Sequence, residues 1–227
     1  MNRDQFMTRV RNAAAAGRNY RVHVDESIER SAGYVGGGVD PIERFASQAT
    51  VAGGQVDVVA DAAAAVARLL EICQQYSARN CVAWDHPLLE RWNVRAALAA
   101  RGVEMSSAGT LPGEDGATRR TRLLSADLGI TSVTFAVAET GSIAMIDDAG
   151  CDTVASLVPP VHVALVSREQ LVPDLFDVFD ALEKRKAAGW PSSVVFITGP
   201  SKTGDVELKL TTGVHGPKHW HVIVSRE

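Results

Sequence analysis

A chain of 227 residues, 46% hydrophobic and 22% charged, has the composition of a soluble globular protein and the length for one large domain with an extension. A formal net charge of -4 argues against general nucleic-acid binding, which needs a basic surface. No apolar run approaches the ~18 residues of a membrane span, and Met1-Asn2-Arg3-Asp4-Gln5 shows no apolar signal region. The expectation is therefore a cytoplasmic protein. Cys73, Cys81 and Cys151 form no CxxC pair, which excludes a disulfide framework, a zinc ribbon or an iron–sulfur site held by this chain alone.

Phe6, Met7 and Val10 at helical spacing predict a helix over residues 3–16. Residues 17–39 are polar and glycine-rich and read as an extended arm, with the domain proper at 40–227. Gly36-Gly37-Gly38 lacks a preceding strand and a GxGxxG pattern, so it is not read as a phosphate loop. Asp40-Pro41 opens a helix to Val51, with aspartate as cap and proline in the first turn. Strands at 56–59, 81–84 and 103–105 alternate with helices at 61–76 and 85–101, the pattern of βαβ units and a parallel sheet. Arg119, Arg120 and Arg122 follow a Ser/Gly/Pro-rich loop and either contact an anion or form a solvated helix face. Residues 132–138 and 142–146 flank Glu139-Thr140-Gly141 as a β-hairpin, which departs from a plain Rossmann pattern. A strand at 161–166, a helix at 169–187, a buried strand at 194–197 and a final strand at 219–224 complete the series. Val206, Leu208 and Leu210 predict a helix after the 198–205 turn.

That turn, Thr198-Gly199-Pro200-Ser201-Lys202-Thr203-Gly204-Asp205, concentrates small, hydroxyl and charged residues. A turn between a strand's carboxyl end and a helix start suits an anion. Gly199 and Gly204 have P-loop separation, but Asp205 and Val206 stand where Lys and Ser/Thr are required, so triphosphate chemistry is excluded. Two readings stay open: an anion site formed by Ser201, Thr203 and Lys202, or a helix cap satisfied by the hydroxyls and Asp205. His215 lies in a second glycine turn close by. His219 and His221 share one face of a strand, as two metal ligands or as surface histidines, and no metal is assigned. Glu139 at a tight turn is either a nucleophile or base, or a solvated turn residue. No GxSxG elbow is present, against an α/β-hydrolase.

Five segments occur in one order: Ala126-Asp127-Leu128-Gly129-Ile130-Thr131, Ala138-Glu139-Thr140-Gly141-Ser142, residues 157–162 (Leu-Val-Pro-Pro-Val-His), residues 197–207, and Gly213-Val214-His215-Gly216-Pro217. Together they resemble the LUD domain, and more narrowly the lactate-utilisation protein C family. Gly204 and Val206 replace the alanine and isoleucine usual there, and the first 110 residues carry little that is diagnostic. The resemblance implies a three-layer α/β domain with a mixed, largely parallel sheet and a hairpin insertion, similar to the sugar-phosphate isomerase and CoA-transferase group. It implies a part in oxidising L-lactate to pyruvate beside partner proteins that carry the iron–sulfur clusters, with no cofactor in this chain and homo-oligomerisation open. An independent CoA-transferase-like or formyltetrahydrofolate cyclo-ligase-like enzyme, and a non-catalytic assembly partner, are the alternatives. The resemblance assigns no catalytic residue; analogy to CoA transferases singles out Glu139. The expected ligand site, for a small carboxylate or other anion, gathers Thr140, Gly141, Gly199, Pro200, Ser201, Lys202, Thr203, Asp205, His215 and Gly216.

Overall fold

Helices with one apolar face alternate with short apolar strands from residue 41 onward, and the chain divides into two compact units, 1–34 and 35–227. The computed structural model describes residues 2–17, 36, 38, 40–147, 153–185, 189–204 and 210–227. Most of the expected arm at 17–39, Cys151, Asp205, Val206 and Leu208 lie outside the described residues. The first unit holds α1 (Arg3–Gly17).

In the second unit, the Asp40 carboxylate accepts from the Ile42 and Glu43 N–H groups and starts α2 (Pro41–Val51). Pro41 costs no hydrogen bond in the first turn, where its N–H would lack a partner. β1 (Gln55–Val59) leads to α3 (Ala62–Gln75), capped by Asp61. Then come β2 (Asn80–Ala83), α4 (Pro87–Arg91), α5 (Val94–Ala99), β3 (Glu104–Ser107), α6 (Gly116–Leu124) and β4 (Leu128–Thr131). β5 (Phe135–Val137) and β6 (Ser142–Asp147) form the hairpin. β7 (Val161–Val166), β8 (Leu171–Val172), α7 (Leu175–Arg185), β9 (Ser193–Ile197), β10 (Lys202–Gly204), β11 (Leu210–Thr212) and β12 (His219–Ser225) follow.

Six strands make one sheet in the order β1-β12-β7-β4-β2-β3, parallel at every pairing. Strands buried on both faces read as continuous apolar runs, which explains Val161 to Val166. One face, with Leu128, Ile130, Val163, Leu165 and Ile223, packs on α3, α4 and α5. The other, with Ala164, Val166, Trp220, Val222 and Val224, packs on Ile42, Phe45 and Ala49 of α2 and on Ala136, Ala138 and Ile143 of a second sheet. That second sheet is mixed, in the order β8-β5-β6-β9. Helices, parallel sheet, and α2 with the mixed sheet stack as three layers. α7 closes the outer face through Val178 and Leu182. The α/β architecture is the expected one, with the hairpin building a sheet of its own.

Several local expectations change. The helix read at 169–187 begins only at Leu175, because Pro173 cannot extend a helix and Asp174 caps the next one by accepting from the Phe176 and Asp177 N–H groups. Leu171 therefore sits in a strand. The helix read at 85–101 breaks at Asn93, whose φ of 52° is left-handed. The helix expected after residue 205 is not formed at Leu210, which instead opens β11 antiparallel to β10. A helix-start anion site therefore has no helix to support it among the described residues. β9 is an edge strand with Phe196 exposed, so the expected buried strand is only half-covered. β4 was not read as a strand, yet it lies central in the sheet. Its motif serves the fold: Asp127 accepts from the Arg79 and Asn80 N–H groups at 2.8 and 2.9 Å, tying α6–β4 to β2.

Candidate functional site

Two motif turns meet at the amino ends of β7 and β12. The Ser201 N–H donates to the Pro217 carbonyl, and the Gly213 N–H donates to the Ser201 carbonyl, both at 2.9 Å. These bonds lock residues 198–201 against 213–217. The hairpin turn joins from behind: Ser142 Oγ lies 2.6 Å from Thr198 Oγ1, and Thr140 Oγ1 lies 2.9 Å from Ser142 Oγ. Gly141 at φ +66° lets this turn abut α2, where a Cβ would fall 2.1 Å from Ala49 N. A Cβ on Gly199 would fall 2.4 Å from the Ala52 carbonyl oxygen.

Between these turns and the parallel sheet is a cavity of about 200 Å³. Gly199, Pro200, Ser201, His215 and Gly216, five of the residues gathered from the sequence, line it. Thr140 and Gly141 support it without lining it. Lys202 turns away, donating through Nζ to the Ala52 carbonyl at 2.7 Å, where a cation complements the end of α2. Thr203 pairs with Thr211 in the ribbon. Glu139 is half-buried, its N–H donates to the Pro173 carbonyl at 3.0 Å, and it does not line the cavity. The cavity opens at the amino ends of the strands, opposite to the carboxyl-end crevice expected of an open α/β sheet.

The floor is formed by two residues not singled out from the sequence, His162 and Trp220. They are paired in register on β7 and β12 and are 0% and 1% exposed. His162 Nε2 lies 2.9 Å from Thr131 Oγ1. Burial, aided by His221, pushes the His162 pKa down to about 3, so the ring is neutral at pH 7. His162 Nδ1 and Trp220 Nε1 have no hydrogen-bond partner among the described residues. The legible signal was a histidine at an inward position of an otherwise apolar strand.

Other candidates resolve differently. Arg119 and Arg122 of α6 are internal staples, whereas Arg120 is exposed on the helix surface. Arg122 pairs with Glu114 at 2.8 Å and donates to the Ser107 and Gly109 carbonyls, while Arg119 donates to that of Ala108. The Arg122 guanidinium holds the Glu114 carboxyl down to about 2. His221 is buried, not a surface residue, with Nε2 3.0 Å from the Tyr76 hydroxyl, and His219 packs on the same ring. Four larger depressions, of about 560 Å³ beside α6, 400 Å³ beside Trp84 and His86, 500 Å³ on α1 and 510 Å³ beside Asp40 and Arg168, carry none of the 139–141, 197–207 and 213–217 motif turns.

No helix among the described residues is long and apolar enough to cross a membrane. Lactate utilization protein C of Halalkalibacterium halodurans is 31% identical over 148 residues, 64% of this chain and 62% of that protein. Lactate utilization protein B of Shouchella clausii is 35% identical over 109 residues, 46% of this chain and 21% of that protein. The chain thus spans less than two thirds of the length of these curated relatives. A crystal structure of a DUF162 family protein from Deinococcus radiodurans superposes with a TM-score of 0.57, covering 81% of this chain and 95% of that one at 20% identity. The LUD domain model matches residues 42–225, and the chain belongs to the LUD domain family.

Proposed function

We propose that this chain is a C-type component of a cytoplasmic system that oxidises L-lactate to pyruvate, and that its cavity holds a small carboxylate. The carbinol group loses two electrons and two protons in that reaction, one proton from the carbon and one from the hydroxyl, and the electrons pass to iron–sulfur partner subunits. This chain contributes binding and positioning and carries no cofactor. The observation behind the reading is the cavity itself: the 198–201 and 213–217 turns wall it, and it measures about 200 Å³. Pockets that enclose drug-sized ligands start at about 300 Å³. The size favours a three-carbon acid over an enclosed CoA ester or folate. Glu139 is not among the cavity-lining residues, so the cavity gives the CoA-transferase alternative no support.

Deleting the gene is expected to abolish growth on L-lactate as sole carbon source, with growth restored by the intact gene. A pull-down from lactate-grown cells is expected to recover iron–sulfur proteins. Normal growth of the deletion strain on L-lactate overturns the reading.

A further inference from the structure

We infer that His162 and Trp220 form an uncharged two-donor clasp for the carboxylate of a small acid, with Thr131 setting which histidine nitrogen carries the hydrogen. The inference rests on the cavity being the ligand site proposed above, and it adds the atoms that read the ligand.

The direction of Trp220 follows from its packing. A Cβ on Gly54 would lie 2.6 Å from Trp220 Cε3 and 2.8 Å from Cζ3, so the benzo edge of the indole abuts the turn after α2. The pyrrole edge, with Nε1, faces the other way, and the residue lines the cavity. An indole N–H is a donor only, and this one has no acceptor among the described residues.

The tautomer of His162 follows from Thr131. The Thr131 hydroxyl is 0% exposed, and its recorded side-chain partner is His162 Nε2 at 2.9 Å. If Nε2 carried the hydrogen and donated to Oγ1, the threonine hydroxyl would itself be left as a buried donor without an acceptor. The arrangement that satisfies both groups has the hydroxyl donating to Nε2, which places the ring hydrogen on Nδ1. Nδ1 then becomes a second buried N–H without an acceptor. The neutrality of the ring supports this, because an imidazolium would need both nitrogens as donors.

Two buried N–H donors therefore belong to register partners on neighbouring strands, residues that line a cavity whose described lining contains no carboxylate, lysine or arginine. Their complement is a ligand with two adjacent acceptor atoms. A carboxylate supplies them, and bonds to its charge are stronger than those to a neutral acceptor. Ordered water is the rival occupant, and the two are separable by titration.

The test uses the intact chain labelled with ¹⁵N and titrated with sodium pyruvate and with L-lactate. The Trp220 indole N–H signal, identified by its loss in Trp220→Phe, is expected to move saturably with either acid. Lactamide, which lacks the charge, is expected to move it less. Trp220→Phe and Thr131→Val are each expected to weaken pyruvate binding about tenfold or more while the folded spectrum is kept. An indole signal that does not move at saturation overturns the clasp, as does undiminished affinity in both variants. If neither acid binds at all, the clasp is likewise overturned. Weakened pyruvate binding in the variants, beside normal growth of the deletion strain on lactate, retains the clasp and removes only the metabolic reading.

Discussion

Burial makes the two inward histidines acid-sensitive. His162 titrates near 3 and His221 near 4, against an ordinary value of 6.5, mainly because burial disfavours the imidazolium. Between pH 6.5 and those values the unfolded chain binds protons that the folded chain refuses. Stability therefore falls as pH falls through that window and is fully retained above it. A single such histidine contributes a slope of up to about 1.4 kcal/mol per pH unit. Urea unfolding at pH 7, 6 and 5 is expected to show the midpoint dropping with pH, and His162→Gln to flatten that dependence. A midpoint independent of pH in the parent chain would contradict this account. Residues of similar appearance in the sequence divide sharply here. Lys202 completes a helix end, Arg122 neutralises Glu114, and His162 floors a cavity.

Elements are held at close range by residues whose role is to be small. β4 passes under the 3₁₀ turn Thr153–Ser156 so closely that a Cβ on Gly129 would fall 1.7 Å from the Ala155 carbonyl oxygen. The contacting atom is backbone, so a rotamer change cannot relieve the clash. Gly129→Ala is expected to cost about 3 kcal/mol, the upper part of the overpacking range, or to prevent folding. Chemical denaturation checks it, and an unchanged midpoint would mean that the turn moves freely. The same strand carries Thr131 to His162, so damage at Gly129 is expected to reach ligand binding as well.

For the whole molecule, every residue of the four buried apolar clusters lies between Ile42 and Val224. The unit from Val35 onward thus contains its own core. A chain truncated to residues 35–227 is expected to unfold in a single cooperative transition by circular dichroism. A broad or absent transition would show that residues 1–34 are needed for the fold. The parallel sheet closes late in the chain. β1 pairs with β12, so residues 55–59 wait for residues 221–225. Such non-local pairing carries a loop-closure cost during folding and slows it.

Periodicity and caps were legible from residue types alone. Asp40-Pro41, the alternation of apolar strands and helices, and the Glu139-Thr140-Gly141 hairpin follow from local rules of hydrogen bonding and backbone freedom, and each appears where expected. The motif turns were legible as a set, and eight of their residues line one cavity. What local rules could not show was the company each residue keeps. The apolar spacing before Leu210 reads as a helix, but Leu210 pairs with Gly204 across a ribbon. Pro173 and Asp174 cut a helix whose apolar spacing continued through them. Glu139 stands in the same turn as Gly141, yet its N–H bonds to Pro173 and it does not line the cavity that Ser201 and His215 line. His162 and Trp220 are 58 positions apart and become partners only because β7 and β12 lie side by side in register. Side-chain pairing across a parallel sheet depends on strand order, and strand order is set by which faces the whole chain can bury.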